Sequence, residues 1–104
     1  NMCSVTNCEL SKILISSHIV PWSKSNKDER LDVGNGILLS PNLDSLFDKH
    51  LISFEDNGDI MISKNLTTKD LQTLGIYRDM KLRKVYDDMK SYLKKHRTKF
   101  FEKN

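Results

Sequence analysis

The first half of the chain has apolar runs that predict strands, followed by apolar spacing that predicts a helix. Residues 10–20 are rich in β-branched side chains and are followed by Pro21, which predicts a strand leading into a turn. Residues 23–34 are polar and predict a surface loop, and Gly36–Leu39 predicts a second short strand. Ser40 and Pro41 then provide a helix start, after which three apolar side chains share one helix face: Leu43, Leu46 and Phe47.

The second half predicts a hairpin and then helices. Asn57 and Gly58 separate two short apolar runs, which is a strong hairpin signal. Thr67 or Thr68 can cap a short helix that ends before Gly75. From about Asp79 onward, apolar residues recur every three or four positions, which predicts one amphipathic helix: Leu82, Val85, Tyr86, Met89, Leu93, His96 and Phe100. The predicted fold class is therefore α+β.

The charge of this 104-residue chain, whose length fits one domain, is unevenly distributed. Residues 1–77 hold seven basic and ten acidic residues, whereas residues 78–104 hold ten basic and four acidic ones. The basic end is either a solvated helix face or a surface for a polyanion such as nucleic acid. No apolar run approaches the roughly 18 residues that span a bilayer, and no leader is visible, so we expect a cytoplasmic protein that is not embedded in a membrane.

The two cysteines and two of the three histidines are not interpreted as functional residues. Cys3 and Cys8 form a C-x4-C spacing without a second pair, so a structural zinc site, which needs four ligands, is not expected. His96 lies on the apolar stripe of the predicted last helix and is interpreted as a core histidine with satisfied hydrogen bonds. His50 is interpreted as a surface loop residue.

Three elements could carry chemistry, and each also has a structural interpretation. His18 ends the first predicted strand just before a proline turn, where a histidine is a candidate general base or a structural residue. Asn35 opens the second strand and either braces the preceding loop through its amide or is a turn residue. Asp44 and Asp48 lie one helical turn apart, so they either bind a divalent cation that removes their repulsion or form a solvated face.

Taken together, the order and spacing of these residues resemble the HNH endonuclease family, and most closely its restriction-type branch. The similar stretches extend over almost the whole chain: Cys3, Ser17–Trp22, Glu29–Gly36, Asp44–Asp48, Leu51–Gly58 and Tyr92–Arg97. The resemblance implies a single nuclease domain over residues 1–104. Its ββα-metal core of two strands and a helix would occupy about residues 10–50, followed by a hairpin at 51–63 and C-terminal helices at 67–104.

The resemblance also implies roles for individual residues. His18 matches the general base that deprotonates the attacking water, and Asn35 matches the asparagine that orients this base. Asp44 matches a metal-ligand position, and Asp48 lies where some members have another ligand. Ser17 occupies a ligand position where many members have an acidic residue or a second histidine. Because a hydroxyl is a weak ligand for Mg²⁺, the ion, Mg²⁺ or Mn²⁺, would rest mainly on carboxylates, water and the substrate phosphate.

DNA is the partner that the resemblance implies, with four candidate phosphate contacts: Arg30, Lys94, Lys95 and Arg97. For Arg30, a loop ion pair is the alternative. The expected function is hydrolysis of DNA phosphodiester bonds in a restriction or defence endonuclease, as a homodimer or with an attached recognition domain. Ser17 leaves open a second function, a catalytically impaired DNA-binding module with the same fold. A third is an interaction domain whose carboxylates are merely exposed.

Overall fold

A computed structural model describes residues 15–20 and 25–104, and over these ranges the chain has two small antiparallel sheets and four α-helices. The elements follow in the order β1 (Ile15–His18), α1 (Lys27–Leu31), β2 (Gly36–Leu39), α2 (Pro41–Asp48), β3 (Ile52–Phe54), β4 (Ile60–Ile62), α3 (Thr68–Leu74) and α4 (Lys90–Lys103). Two 3₁₀ turns, Val33–Asn35 and Asp87–Met89, precede β2 and α4. The predicted α+β class is confirmed.

One apolar core joins the two sheets to the helices. β1 pairs antiparallel with β2 so that His18 lies opposite Gly36. Helix α2 contacts both β1 and β3, and α4 packs against β3. The side chains at the centre of this core are almost completely buried: Leu39, Leu43, Phe47, Ile52, Phe54 and Leu93. The helices therefore cover the apolar faces that such small sheets cannot bury alone.

The turn between β3 and β4 confirms the hairpin prediction and requires its glycine. Gly58 has a φ of +94°, which L-residues with a side chain rarely adopt. A Cβ atom at this position would also lie 3.0 Å from the main-chain oxygen of Leu82. Asn57 supports the same turn, because its side-chain oxygen accepts a hydrogen bond of 2.9 Å from the amide of Asp59.

The prediction of a surface loop over residues 23–34 is wrong for its middle part, which contains α1. Asn26 caps this helix, because its side chain accepts a hydrogen bond from the amide of Glu29 while the Glu29 carboxylate accepts one from the amide of Asn26. This reciprocal arrangement satisfies two amides that a helix start would otherwise leave without partners. The Asn26 and Glu29 spacing is a recognised helix-start signal that the polar composition concealed.

The predicted start of the last helix at Asp79 is also wrong, because α4 begins at Lys90. The segment before it pairs with the hairpin instead: the amide of Ile60 donates to the oxygen of Met80 (3.2 Å), and the amide of Leu82 donates to the oxygen of Gly58 (2.9 Å). Main-chain groups that are hydrogen-bonded to the hairpin cannot also form the hydrogen bonds of a helix. Lys81 and Lys84 therefore do not share a helix with Lys94.

Other predicted elements agree with the structure where it describes them. Thr67 caps α3, and Gly75 ends it in a left-handed conformation with a φ of +71°. The predicted strand residues 10–14, together with Trp22 and both cysteines, lie outside the described residues. None of the helices within the described ranges has the length and apolar character needed to cross a bilayer.

His96 is a core histidine, as predicted, and His50 is buried with it, contrary to the prediction of a surface loop. The His96 ring stacks between Phe47 at 3.8 Å and His50 at 4.3 Å between ring centroids. Its Nε2 lies 2.8 Å from the main-chain oxygen of Phe47, which can only accept, so Nε2 carries the proton. Nδ1 then accepts from the Ser53 hydroxyl at 2.7 Å. His50 adopts a left-handed conformation with a φ of +58°, and its side chain is buried.

We expect the free energy of unfolding to decrease as the pH falls from about 6.5 to about 4. Burial lowers the pKa of His96 from 6.5 to about 4, and burial also lowers the pKa of His50. Above pH 6.5 the folded and unfolded states are both neutral at His96, whereas below it the unfolded state takes up the proton first. The loss reaches roughly 3 kcal/mol by pH 4 and is measured by chemical denaturation across this range.

The variant His96→Gln separates this effect from the protonation of carboxylates. Glutamine can still donate to the main-chain oxygen of Phe47 but does not titrate. Its free energy of unfolding should be lower at pH 7 and should change less between pH 6.5 and 4. The same pH slope in both proteins would contradict the assignment to His96.

Candidate functional site

The predicted base and the predicted bracing residue lie at neighbouring positions on the β1–β2 sheet. His18 is the last residue of β1 and is half-buried. Its partner across the sheet is Gly36, the residue directly after Asn35. The next residue along the chain, Ile19, donates its amide to the main-chain oxygen of Asn35 at 2.9 Å. The backbone just after His18 is therefore held against Asn35.

The side chain of Asn35 is fully buried and hydrogen-bonded on both of its polar atoms. Its Oδ1 accepts from the amide of Val20 at 2.7 Å, and its Nδ2 lies 3.3 Å from the oxygen of the same residue. Nδ2 also donates to the main-chain oxygen of Glu29 (3.1 Å) and to the Ser25 hydroxyl (3.3 Å). The amide thus pairs with Val20 as a neighbouring strand would, and it ties the end of β1 to the α1 region.

The two predicted metal-ligand positions on β1 and α2 are in contact. The Ser17 hydroxyl donates a hydrogen bond to Oδ1 of Asp44, and both side chains are half-buried. Ser40 and Pro41 begin α2 so that Asp44 falls in its first turn, where the helix dipole favours a carboxylate. Asp48 lies one turn further on and is exposed.

These oxygens suit a hard divalent cation, but they do not form a closed site. Within residues 15–20 and 25–104, no three His, Cys, Asp or Glu side chains are grouped closely enough to hold a metal ion. Mg²⁺ in proteins is often bound by only one or two carboxylates, with water and substrate phosphate completing its shell. The Ser17 and Asp44 oxygens fit this type of open site, and they do not fit the imidazole- or thiolate-rich sites that hold zinc.

The segment from α1 to β2 is held by two carboxylates with strong partners. Asp32 accepts from the Tyr92 hydroxyl at 2.7 Å and from the amide of Gly34 at 2.9 Å, and these bonds lower the pKa of Asp32. The same bond to Asp32, together with burial, raises the pKa of Tyr92 to about 12. Glu29 accepts from Lys95 at 2.8 Å, and this bond lowers the pKa of Glu29. Both carboxylates are therefore charged at neutral pH.

The four predicted DNA contacts differ in their surroundings. Lys94 is exposed, whereas Lys95 is paired with Glu29. Arg97 donates to the main-chain oxygen of Phe54 at 3.0 Å and lies 3.1 Å from Asp56, with 17% of its side chain exposed. Arg30 lies in α1, and its side chain is outside the described part of the structure. Lys95 and Arg97 thus link α4 to other elements, and their contact with DNA stays a prediction.

The structure brings some of the predicted site residues into contact, and it shows one contact near them that was not predicted. Ser17 contacts Asp44, and Asn35 holds the backbone that follows His18. His18, Asp44 and Asp48 do not form a grouped metal site of the kind described above. The bond between Tyr92 and Asp32 was not predicted. No local signal could have revealed it, because the two residues are 60 positions apart in the sequence.

A comparison with known families identifies the segment that carries this site. A sequence model described as HNH endonuclease matches residues 3–55, about half of the chain. The matched segment includes Ser17, His18, Asn35, Asp44 and Asp48, and it ends before the hairpin turn and α4. No curated protein matches the sequence.

Proposed function

Because this chain belongs to the HNH endonuclease family, we propose that it is a metal-dependent endonuclease that hydrolyses DNA phosphodiester bonds. The observation that supports this most directly is the hydrogen bonding of Asn35. The fully buried side-chain amide of Asn35 pairs with both the main-chain N–H and the main-chain oxygen of Val20. These two contacts fix the chain two residues after His18. A general base must be held in a defined orientation towards its water molecule, and this arrangement provides the rigid backbone for it.

In the proposed reaction, a water oxygen bonds to phosphorus while the bond between phosphorus and the leaving oxygen breaks. The leaving oxygen keeps the bonding electrons and takes up a proton from solvent water. His18 accepts the proton of that water through its imidazole, and Asn35 maintains the position of the histidine without taking part in the bond changes. Ser17 and Asp44 would hold a divalent ion, Mg²⁺ or Mn²⁺, with Asp48 as a further ligand. When bound, the ion supplies positive charge that stabilises the negative charge developing on the phosphate and the leaving oxygen.

We place the DNA backbone near the exposed part of α4. Lys94 is available for a phosphate contact, and Arg97 would exchange Asp56 for a phosphate. Lys95, whose ammonium group has three donors, would contact a phosphate while it keeps its bond to Glu29. Arg30 is a further proposed contact from the segment before Asn35. A single domain over residues 1–104, a cytoplasmic restriction or defence role, and dimerisation or an attached recognition domain all remain parts of this proposal.

We expect the protein to nick supercoiled plasmid DNA in Mg²⁺ or Mn²⁺ and to lose this activity in a chelator. The variant Asp44→Asn weakens the carboxylate ligand, so it should need about tenfold more metal for the same rate, which is measured by metal titration. Asp79→Asn, an exposed substitution outside the matched segment, is the matched control. If Asp44→Asn and Asp79→Asn show the same metal dependence as the unmodified protein, the role of Asp44 is contradicted.

The second candidate function, a DNA-binding module that has lost cleavage, is favoured by one feature of the site. Ser17 provides a neutral hydroxyl where a charged or imidazole ligand would hold the ion more strongly. This candidate predicts salt-dependent DNA binding without nicking in any divalent metal. The plasmid assay and a binding assay on the same preparation therefore distinguish the two functions.

A further inference from the structure

Two contacts from α4 reach the segment that surrounds Asn35. The Tyr92 hydroxyl donates to Oδ2 of Asp32 at 2.7 Å, and Lys95 Nζ lies 2.8 Å from Oε2 of Glu29. Tyr92 and Lys95 are three positions apart on α4 and so lie on neighbouring parts of one helix face. Both residues lie outside the segment that matches the family.

The two residues that α4 contacts are also the residues whose main-chain oxygens hold Asn35. The oxygen of Asp32 accepts from the main-chain amide of Asn35 at 3.0 Å. The oxygen of Glu29 accepts from the side-chain Nδ2 of Asn35 at 3.1 Å. A shift of either residue would therefore displace a hydrogen-bond acceptor of Asn35, and Asn35 in turn holds Val20 and Ile19 beside His18.

A third contact brings the turn before α4 against the same segment. A Cβ atom added to Gly34 would lie 2.6 Å from the main-chain oxygen of Asp88. The 3₁₀ turn Asp87–Met89 therefore packs directly on the 3₁₀ turn that contains Asn35. The region from α1 to β2 thus has support from the C-terminal part of the chain as well as from the capping box of α1.

We propose that Tyr92 and Lys95 are positioning residues, which hold Asp32 and Glu29 so that Asn35 keeps the backbone after His18 in its catalytic arrangement. The consequence for catalysis rests on the proposed nuclease function, whereas the consequence for the backbone does not. Tyr92 is the more important of the two, because it is buried and donates to a charged group. Lys95 forms an ion pair in which the lysine side chain is 58% exposed, so solvent screens it and it contributes less.

The variant Tyr92→Phe tests this proposal, because it keeps the ring in the core and removes only the hydroxyl. We expect single-turnover cleavage to slow by about tenfold while the DNA concentration needed for half-saturation stays unchanged, since the lost bond is a hydrogen bond to a charged group. Lys95→Met should slow cleavage by about two- to threefold. Tyr77→Phe removes the hydroxyl of an exposed tyrosine and should leave the rate unchanged.

Amide hydrogen exchange provides a measurement that does not depend on activity. In Tyr92→Phe, the protection of the Val20 amide, which is bonded to Asn35, should fall by about tenfold relative to that of the Ser63 amide, which donates to the main-chain oxygen of Leu51 at 2.9 Å beside the hairpin. Equal loss at both places, or no loss at Val20, would overturn the positioning role. If the unmodified protein does not cleave DNA, the nuclease proposal fails, and the exchange result still decides whether α4 positions this segment.

Discussion

Replacing His18 with alanine is expected to lower the rate of metal-dependent plasmid cleavage by about 100- to 10,000-fold. This is the range that a positioned general base contributes to proton transfer in a reaction. In the proposed reaction the imidazole of His18 is the group that accepts the proton of the attacking water, and alanine cannot accept it. The measurement is single-turnover nicking at saturating metal, with DNA binding determined on the same variant.

Ser16→Ala is the matched control for this experiment, because Ser16 is an exposed neighbour in the same strand. It should retain the unmodified rate, and both variants should bind DNA equally well. Added imidazole should restore part of the rate in His18→Ala, since a small base can enter the space that the side chain leaves. Equal cleavage by His18→Ala and Ser16→Ala would exclude His18 as the base.

Local signals allowed most of the fold to be predicted. Gly58 is required where a hairpin turn has a positive φ, and Thr67 and Gly75 mark the two ends of α3. Each of these signals acts over a few residues, so it is readable without knowledge of the rest of the molecule. The capping box of Asn26 and Glu29 is equally local, but the five-residue helix that it begins is almost entirely polar and has no apolar periodicity to mark it.

The start of α4 could not be predicted for a different reason. Leu82 and Val85 fit helical spacing, but the main-chain partners of this segment come from the hairpin, 20 to 24 residues earlier in the chain. An apolar residue at the right spacing shows that a side chain is buried, and it does not show whether a helix or a sheet buries it. Partners distant in sequence therefore overrode the local pattern.

The same contrast between local signals and partners distant in the sequence applies to the candidate site. The positions of His18, Asn35 and Asp44 followed from the resemblance, since their order and spacing are local to the matched segment. The contacts that link Asp32 to Tyr92 and Glu29 to Lys95 join residues 60 and 66 positions apart. The basic residues of α4 were predicted as a solvated helix face or as DNA contacts, because a sequence shows a charge without its partner.

The variant Asn35→Asp is expected to lower the free energy of unfolding by about 3–5 kcal/mol at neutral pH and to abolish cleavage. Aspartate can still accept from the amide of Val20, but an ionised carboxylate cannot donate. It would face the oxygens of Val20 and Glu29, which are also acceptors. A buried charge without a compensating partner carries a penalty of this size. Chemical denaturation and plasmid nicking measure the two effects.

The pH dependence of this variant distinguishes a lost donor from a general loss of packing. Burial among acceptors raises the pKa of a carboxyl group, so the folded variant binds a proton more readily than the unfolded chain. Its stability deficit should therefore be largest at high pH and decrease as the pH falls, because a protonated carboxyl can again donate. Asn42→Asp is the control: Asn42 is exposed and donates one bond of 3.0 Å to the oxygen of Leu74, so its loss should stay below about 1 kcal/mol. A pH-independent deficit in Asn35→Asp would mean that shape at this position, and not the donor pattern of the amide, supports the backbone after His18.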